Sequence, residues 1–303
     1  MDIKKVGFIG TGVMGAPMVG HLLKAGYEVN VFTRTKERAN GVIDQGAKWC
    51  DTPRECAEGC DVVISIVGYP DDVRDVWTNR STGAFKGMKK GAYGIDMTTS
   101  SPELASELFQ RGKALGFNMV DCPVTGGDIG ARNATLAMLF GGEQESYEAL
   151  KDFLKVFGER VEYFGNAGKG QLAKACNQIA VAATMFSASE AIAFASQMGL
   201  DVEKVIDTLS AGAAGSFSLR SYGPRILSGD YNPGFKIAHF LKDIEIALKV
   251  CDSHGINLPC LELAKKAYTV LNNIGHGEKG TQALYLFYCS SLMPDLDATD
   301  KNK

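Results

Sequence analysis

Lys174 and Asn177 stand three residues apart in the run Gly165-Asn-Ala-Gly168-Lys-Gly170-Gln-Leu-Ala-Lys174-Ala-Cys-Asn177, so a helix presents both on one face. A lysine among small apolar residues either snorkels to water or does chemistry. Burial lowers a lysine's pKa and makes it a usable proton donor. Asn177 beside it can donate to a carbonyl or hold the lysine. In a second polar cluster, Phe235-Lys-Ile-Ala-His239-Phe-Leu-Lys242-Asp243, Lys242 and Asp243 read first as a solvated helix face and His239 as a core or surface histidine. His21, His254 and His276 are isolated, and Glu190, far along the Lys174 helix, reads as structural. No Ser-His-Asp arrangement and no metal-ligand spacing is present, so the expected metal content is none.

Two glycine-rich runs suit anions. Gly10-Thr11-Gly12-Val13-Met14-Gly15 follows an apolar strand pattern and opens a helical one. The first glycine permits a tight turn, the second admits a pyrophosphate against the backbone, and the third lets helix and strand pack closely. Amides at the helix start then hold the phosphates. The next strand ends Phe32-Thr33-Arg34-Thr35, without the carboxylate that an NAD site uses on the ribose. Arg34 offers a forked cation, and Thr33 and Thr35 offer hydroxyls. That set suits a 2′-phosphate and predicts NADP (NADPH) as cofactor. In Asp121-Cys-Pro-Val-Thr125-Gly126-Gly127, the glycine amides and the Thr125 hydroxyl could form a carboxylate nest, or the run is a plain loop.

These residues need elements to carry them. Strand patterns fall at 6–9, 28–32, 61–67, 93–96, 118–121 and 136–140. Helical patterns intervene at 14–24, 36–45 and 102–114. Strand alternating with helix predicts a parallel sheet covered on both faces. Beyond Gly165 strand signals stop, and helices are expected at 171–198, 202–210, 237–254 and 259–273. The expected architecture is therefore an α/β Rossmann-type parallel-sheet domain over 1–165, followed by an all-α domain over 166–303 for substrate and dimerisation. The stretch 172–194 carries Lys174, Asn177, Gln178 and Glu190 and reads as a buried alanine-rich helix, not a membrane span. The tail 291–303 is polar and expected to fray.

Composition excludes little but is consistent. The chain has 303 residues, 45% of them apolar and 22% charged, with net charge −3. That balance suits a two-domain globular protein and gives no nucleic-acid footprint. Eight cysteines form no Cys-x-x-Cys pair, which predicts reduced, buried thiols. An apolar strand pattern beginning by Val6 leaves no room for a leader, so a cytoplasmic location is expected.

Together the runs resemble the β-hydroxyacid dehydrogenases, the family of 3-hydroxyisobutyrate dehydrogenase, tartronate semialdehyde reductase and glyoxylate/succinic semialdehyde reductase. GFIGTGVMGAPM is similar to the cofactor motif, DCPVTGG to the substrate motif, GNAGKGQLAKACN to the catalytic motif and FKIAHFLKDIEIAL to a fourth. The resemblance covers about residues 4–290. It implies that Lys174 is the general acid/base and that Asn177 orients substrate. It implies a carboxylate grip at Thr125, Gly126 and Gly127, and a Thr99 that contacts cofactor and substrate. Lys242 then lies on the cofactor side, with Phe235 and Asp243 beside it. Thr125 departs from the commoner serine, and its methyl narrows the site. The expected reaction is NADPH-dependent reduction of a small aldehyde acid such as glyoxylate or succinic semialdehyde. The rivals are an NAD(P)-dependent 3-hydroxyacid dehydrogenase running the other way and a silent NADP-binding scaffold. Imine reductases share the architecture but generally lack the lysine. A homodimer or homotetramer is expected, since the long apolar helix would suit a subunit contact.

Overall fold

The computed structural model describes residues 3–289, so the tail at 291–303 lies outside the described residues. The chain divides into two compact units, one ending at Lys174 and one starting at Ala175. The sequence placed that limit at 165/166.

The first unit opens β1 (Lys5–Ile9), α1 (Gly15–Lys24), β2 (Glu28–Phe32), α2 (Asn40–Ile43), β3 (Lys48–Trp49), α3 (Pro53–Ala57), β4 (Val62–Ser65) and α4 (Pro70–Thr78). It continues β5 (Tyr93–Asp96), α5 (Pro102–Leu115), β6 (Asn118–Asp121), β7 (Val124–Thr125), α6 (Gly127–Asn133), β8 (Ala137–Gly141), α7 (Gln144–Leu154) and β9 (Arg160–Gly165). The strand order is β3-β2-β1-β4-β5-β6-β8-β7, with β9 on β8. From β3 to β6 every pairing is parallel. Strand order reverses beside β1, which leaves a crevice outside the carboxyl ends of β1 and β4, where open α/β sheets bind ligands.

Burial on both faces explains the continuous apolar strands. Val62 and Ile64 of β4 enter the core that holds α1 and α7, while Val63 enters the one that holds α4 and α5. The expected parallel sheet holds from β3 to β6, and the strand expected at 136–140 joins it as β8, antiparallel to β6 and β7. The short link from Thr125 through α6 turns the chain straight back, as an antiparallel neighbour allows. The helix expected over 36–45 is broken. A 3₁₀ turn at Lys36–Ala39 precedes the four-residue α2, which contains Gly41, a residue that weakens a helix by about 1 kcal/mol.

A single long helix, α8 (Lys169–Gln197), runs from the end of the first unit into the second. The second unit adds α9 (Val202–Ala211), α10 (Gly223–Leu227), α11 (Ile237–His254), α12 (Pro259–Leu271) and α13 (Leu286–Cys289). No strand occurs there among the described residues. Its core packs Phe240 edge-on against Tyr268, with ring centroids 5.1 Å apart. The α8 helix is long and apolar enough to cross a membrane by length and composition, and 44% of its most apolar stretch is buried within the chain. The sequence predicts a buried helix, and the burial is partial: Ala182, Met185, Ala188 and Ile192 lie in the core. Phe194 is left 63% exposed.

All eight cysteines are free. Cys50, Cys56, Cys60, Cys122 and Cys251 are buried, but Cys176, Cys260 and Cys289 are exposed, which corrects the expectation that the thiols are buried. Cys176 shows why: it shares α8 with Lys174 but points to another face.

Candidate functional site

The cofactor loop is fixed by backbone contacts. Gly10 donates its amide to the carbonyl of Phe32 at 2.8 Å, tying the end of β1 to the end of β2. Its φ of +105° belongs to glycine, and a Cβ there would stand 2.1 Å from the carbonyl oxygen of Ile66. A Cβ on Gly15 would stand 1.9 Å from the carbonyl oxygen of Gly10. Gly12 is different, because a Cβ there meets nothing within 4 Å among the described residues. Thr11 is buried, and its hydroxyl oxygen has no hydrogen-bond partner among the described residues. Val13 is exposed and Met14 directly precedes α1. A tight turn, an open backbone and a buried hydroxyl in want of a partner together fit a dinucleotide pyrophosphate.

Past β2, Thr33 is half-buried while Arg34 and Thr35 are exposed. A carboxylate from another element meets the cation. Arg34 donates from Nη1 to Asp72 Oδ1 at 2.9 Å, and Asp72 Oδ2 accepts from the Tyr69 amide at the start of α4. The sequence showed the cation and not the acid that holds it.

At the sheet's other end, Thr125 closes β7, and Gly126 and Gly127 follow with φ of +127° and +64°. The run read as a loop is instead a short strand leading into α6. Its first residue, Asp121, was given no role, yet it anchors the start of α8. Asp121 Oδ1 accepts from the Gly168 amide at 2.7 Å, and Oδ2 accepts from the Gln171 amide at 2.8 Å. Two glycines make room for that carboxylate. A Cβ on Gly141 would lie 2.7 Å from Oδ1, and one on Gly170 would lie 2.8 Å from Oδ2. Lys174 follows on the next turn, with 8% of its surface exposed.

Burial pushes the Asp121 carboxyl up to about 7; the Gly168 and Gln171 amides pull it down, and the Asp96 charge adds to the rise. A carboxyl raised on folding lends stability that is complete below its unfolded pKa and is lost as pH rises through about 7. Asp121→Asn should therefore flatten the pH dependence of unfolding between about pH 4 and about pH 7, where one group can contribute up to ~1.4 kcal/mol per pH unit. Urea unfolding of both proteins at several pH values checks this, and parallel curves would refute it.

Thr99 is half-buried between two pinned neighbours. The Thr98 amide donates to Asp96 Oδ1, and Thr98 Oγ1 accepts from the Val67 amide. Gln171 Nε2 donates to the Thr98 carbonyl at 2.8 Å, and its Oε1 accepts from the Ser100 amide at 2.9 Å.

In the second unit, Asn177 donates to Gln178 Oε1 at 2.7 Å, and Gln178 Nε2 donates to Asp243 Oδ2 at 2.6 Å. Lys242 Nζ lies 2.8 Å from Asp243 Oδ1, with 12% and 2% of the two side chains exposed. The solvated-face reading of this pair is thereby overturned. Gln178, which the sequence did not single out, joins them to Asn177. The Phe235 ring packs against Phe240, at 5.4 Å between centroids. Burial and the charges of Lys242 and Lys236 hold His239 below the ordinary histidine range, so it is a poor store for a proton. Glu190 accepts from the Tyr288 hydroxyl. Among the described residues, no group of three His, Cys, Asp or Glu side chains could hold a metal ion.

Comparison with known proteins gives two family matches that between them span most of the chain. Residues 5–165 match the family described as the NAD binding domain of 6-phosphogluconate dehydrogenase. Residues 168–288 match that described as NAD-binding of NADP-dependent 3-hydroxyisobutyrate dehydrogenase. The chain is 46% identical to the probable 3-hydroxyisobutyrate dehydrogenase-like 1, mitochondrial, of Arabidopsis thaliana, over 93% of this chain and 84% of that one. It is 36% identical to the 2-hydroxy-3-oxopropionate reductase of Escherichia coli, over 86% of this chain and 89% of that one. Among solved structures it resembles Psf3 in complex with NADP+ and 2-OPP, with TM-score 0.87 and 26% identity over 93% of this chain and 99% of that one.

Proposed function

The chain belongs to the β-hydroxyacid dehydrogenase family, NAD(P)-dependent oxidoreductases that act on CH–OH groups, and from that premise we propose an NADPH-dependent reductase of small aldehyde acids. Glyoxylate and succinic semialdehyde are the leading substrates. The observation that carries the reading is Lys174: a buried lysine one turn beyond a helix start that a carboxylate fixes, in the same unit as the dinucleotide loop.

The backbone of Gly10–Gly15 and the hydroxyl of Thr11 would hold the pyrophosphate, with Arg34, Thr33 and Thr35 at the 2′-phosphate and Thr99 and Lys242 further along the cofactor. When bound, the cofactor supplies a hydride to the carbonyl carbon. The amides of Gly126 and Gly127 and the hydroxyl of Thr125 grip the substrate carboxylate. Lys174 gives its proton to the carbonyl oxygen, and Asn177 fixes that oxygen's direction. Phe235 and Asp243 complete the substrate side. The reaction is tested by following nicotinamide absorbance with NADPH, succinic semialdehyde and an uncharged aldehyde of equal length. Turnover should be far more efficient with the acid; equal efficiency removes the carboxylate grip.

NADP selectivity rests on Arg34, and the NADP+ bound to the Psf3 neighbour supports it. Arg34→Ala should weaken NADPH about tenfold or more, the value of a charge-assisted bond of about 1.5 kcal/mol or above. NADH use should change little. A wild type that uses both cofactors equally, measured as kcat/KM for each, contradicts the assignment. One observation favours the second reading, an NAD(P)-dependent 3-hydroxyacid dehydrogenase, in an NAD-using form: Asp72 places a carboxylate beside Arg34, where a ribose could use it.

The half-covered α8 supports a homodimer or homotetramer. Eight free thiols, three of them exposed, support a reducing, cytoplasmic location.

A further inference from the structure

Gln171 has no part in the mechanism above, yet it is 1% exposed and satisfied at every polar atom described for it. Its backbone amide answers Asp121 on β6. Its side-chain amide answers two backbone groups that flank Thr99, donating to the Thr98 carbonyl and accepting from the Ser100 amide. A glutamine is well suited to this, since it carries a donor and an acceptor side by side. Thr98 and Ser100 are themselves 2% and 1% exposed, so water is a poor substitute partner for their backbone. Three residues further on, about one turn, stands Lys174. One buried side chain thus joins the segment that carries Thr99 to the helix turn that precedes the lysine, within a single unit.

We propose that Gln171 is a positioning residue: it couples the Thr98–Ser100 segment to the first turns of α8, so that Thr99 and Lys174 keep one fixed relation during proton transfer. The consequence for catalysis rests on the reading of Lys174 as proton donor. A small misplacement of such a group lowers the rate without loosening the ground-state complex.

Two variants test it. Gln171→Met keeps the shape and loses both side-chain bonds. Gln171→Glu, when ionised, keeps an acceptor for Ser100 and loses the donor to Thr98; when protonated, it regains both. Amide hydrogen exchange at Ser100 in the cofactor-free protein should rise about tenfold or more in the Met variant. For NADPH-dependent reduction of succinic semialdehyde, kcat should fall on the order of 10–100-fold with the NADPH KM within about twofold. The Glu variant should match Met near pH 8 and recover toward wild type near pH 6, each compared with wild type at the same pH. Asp121, Asp96 and Lys174 are common to all three proteins, so that ratio isolates residue 171. Unchanged Ser100 exchange in Met overturns the coupling. Wild-type kcat in Met overturns the positioning role, as does a Glu variant whose deficit is independent of pH. If Met fails to fold, the pH recovery of Glu decides. A wild type that reduces no aldehyde acid defeats the proposed function instead, and the exchange measurement still decides the coupling.

Discussion

Lys174→Ala should lower turnover by about 10²–10⁴, the usual worth of general acid catalysis, while the protein folds and binds NADPH as before. A carbonyl that accepts hydride becomes an alkoxide unless a proton arrives with it. The donor must be close, protonated at working pH and able to release its proton. Lys174 is 92% enclosed and sits a turn beyond the amides that Asp121 holds, so its backbone position is fixed. Lys242 is bound to Asp243, and His239 is pushed toward its neutral form, so neither is better suited to the task. Lys174→Arg should recover little, because a guanidinium stays charged. The measurement is single-turnover reduction with NADPH and its deuterated form, which shows that chemistry limits the rate. A Lys174→Ala enzyme with near-normal turnover and a full isotope effect would move the proton donor elsewhere.

What the sequence made legible was what local pattern determines. Glu28–Phe32, Tyr93–Asp96, Asn118–Asp121 and Ile237–His254 appear in the structure residue for residue. The strands are short apolar runs and α11 a helical period, each with a sharp stop; α11 ends where Gly255 turns left-handed at φ +65°. Two further elements carry legible signals outside the expected set. The start of α4 reads Tyr69-Pro70-Asp71-Asp72, a proline in the first turn followed by acids, and it is a helix. The strand Arg160–Gly165 alternates exposed and half-buried residues with period two, and was missed beside the stronger helix signal that follows.

The hidden part of the site is what the fold brings together from a distance. Asp121 finds its amides 47 and 50 residues away. Arg34 finds Asp72 at a separation of 38, and Gln178 finds Asp243 at 65. Gln171 and Gln178 are of a residue type that carries no chemical signal, and only their partners give them a role. The motifs showed which side chains could react, and left unseen those that hold them in place.

The glycines of the cofactor loop separate these two kinds of information, and the second large effect follows from them. Gly10→Ala should destabilise the first unit by about 3 kcal/mol or more, since a left-handed φ costs a side chain about 1–3 kcal/mol before any clash is counted. The clash is severe here: the Cβ would meet the Ile66 carbonyl oxygen at 2.1 Å, and both partners are backbone at the ends of paired strands. Neither can retreat without breaking the β1–β4 ladder. Gly12→Ala should instead leave stability within about 0.5–1 kcal/mol of wild type, because its Cβ meets nothing within 4 Å. Among the described residues nothing needs the space a Cβ would take there, which points to what the loop binds as the reason for glycine. Gly12→Ala should then weaken NADPH tenfold or more, which is ~1.4 kcal/mol or above. Urea unfolding and a fluorescence titration with NADPH on the two variants read both quantities. A Gly12→Ala protein that binds NADPH like wild type would show that the pyrophosphate does not lie against this turn.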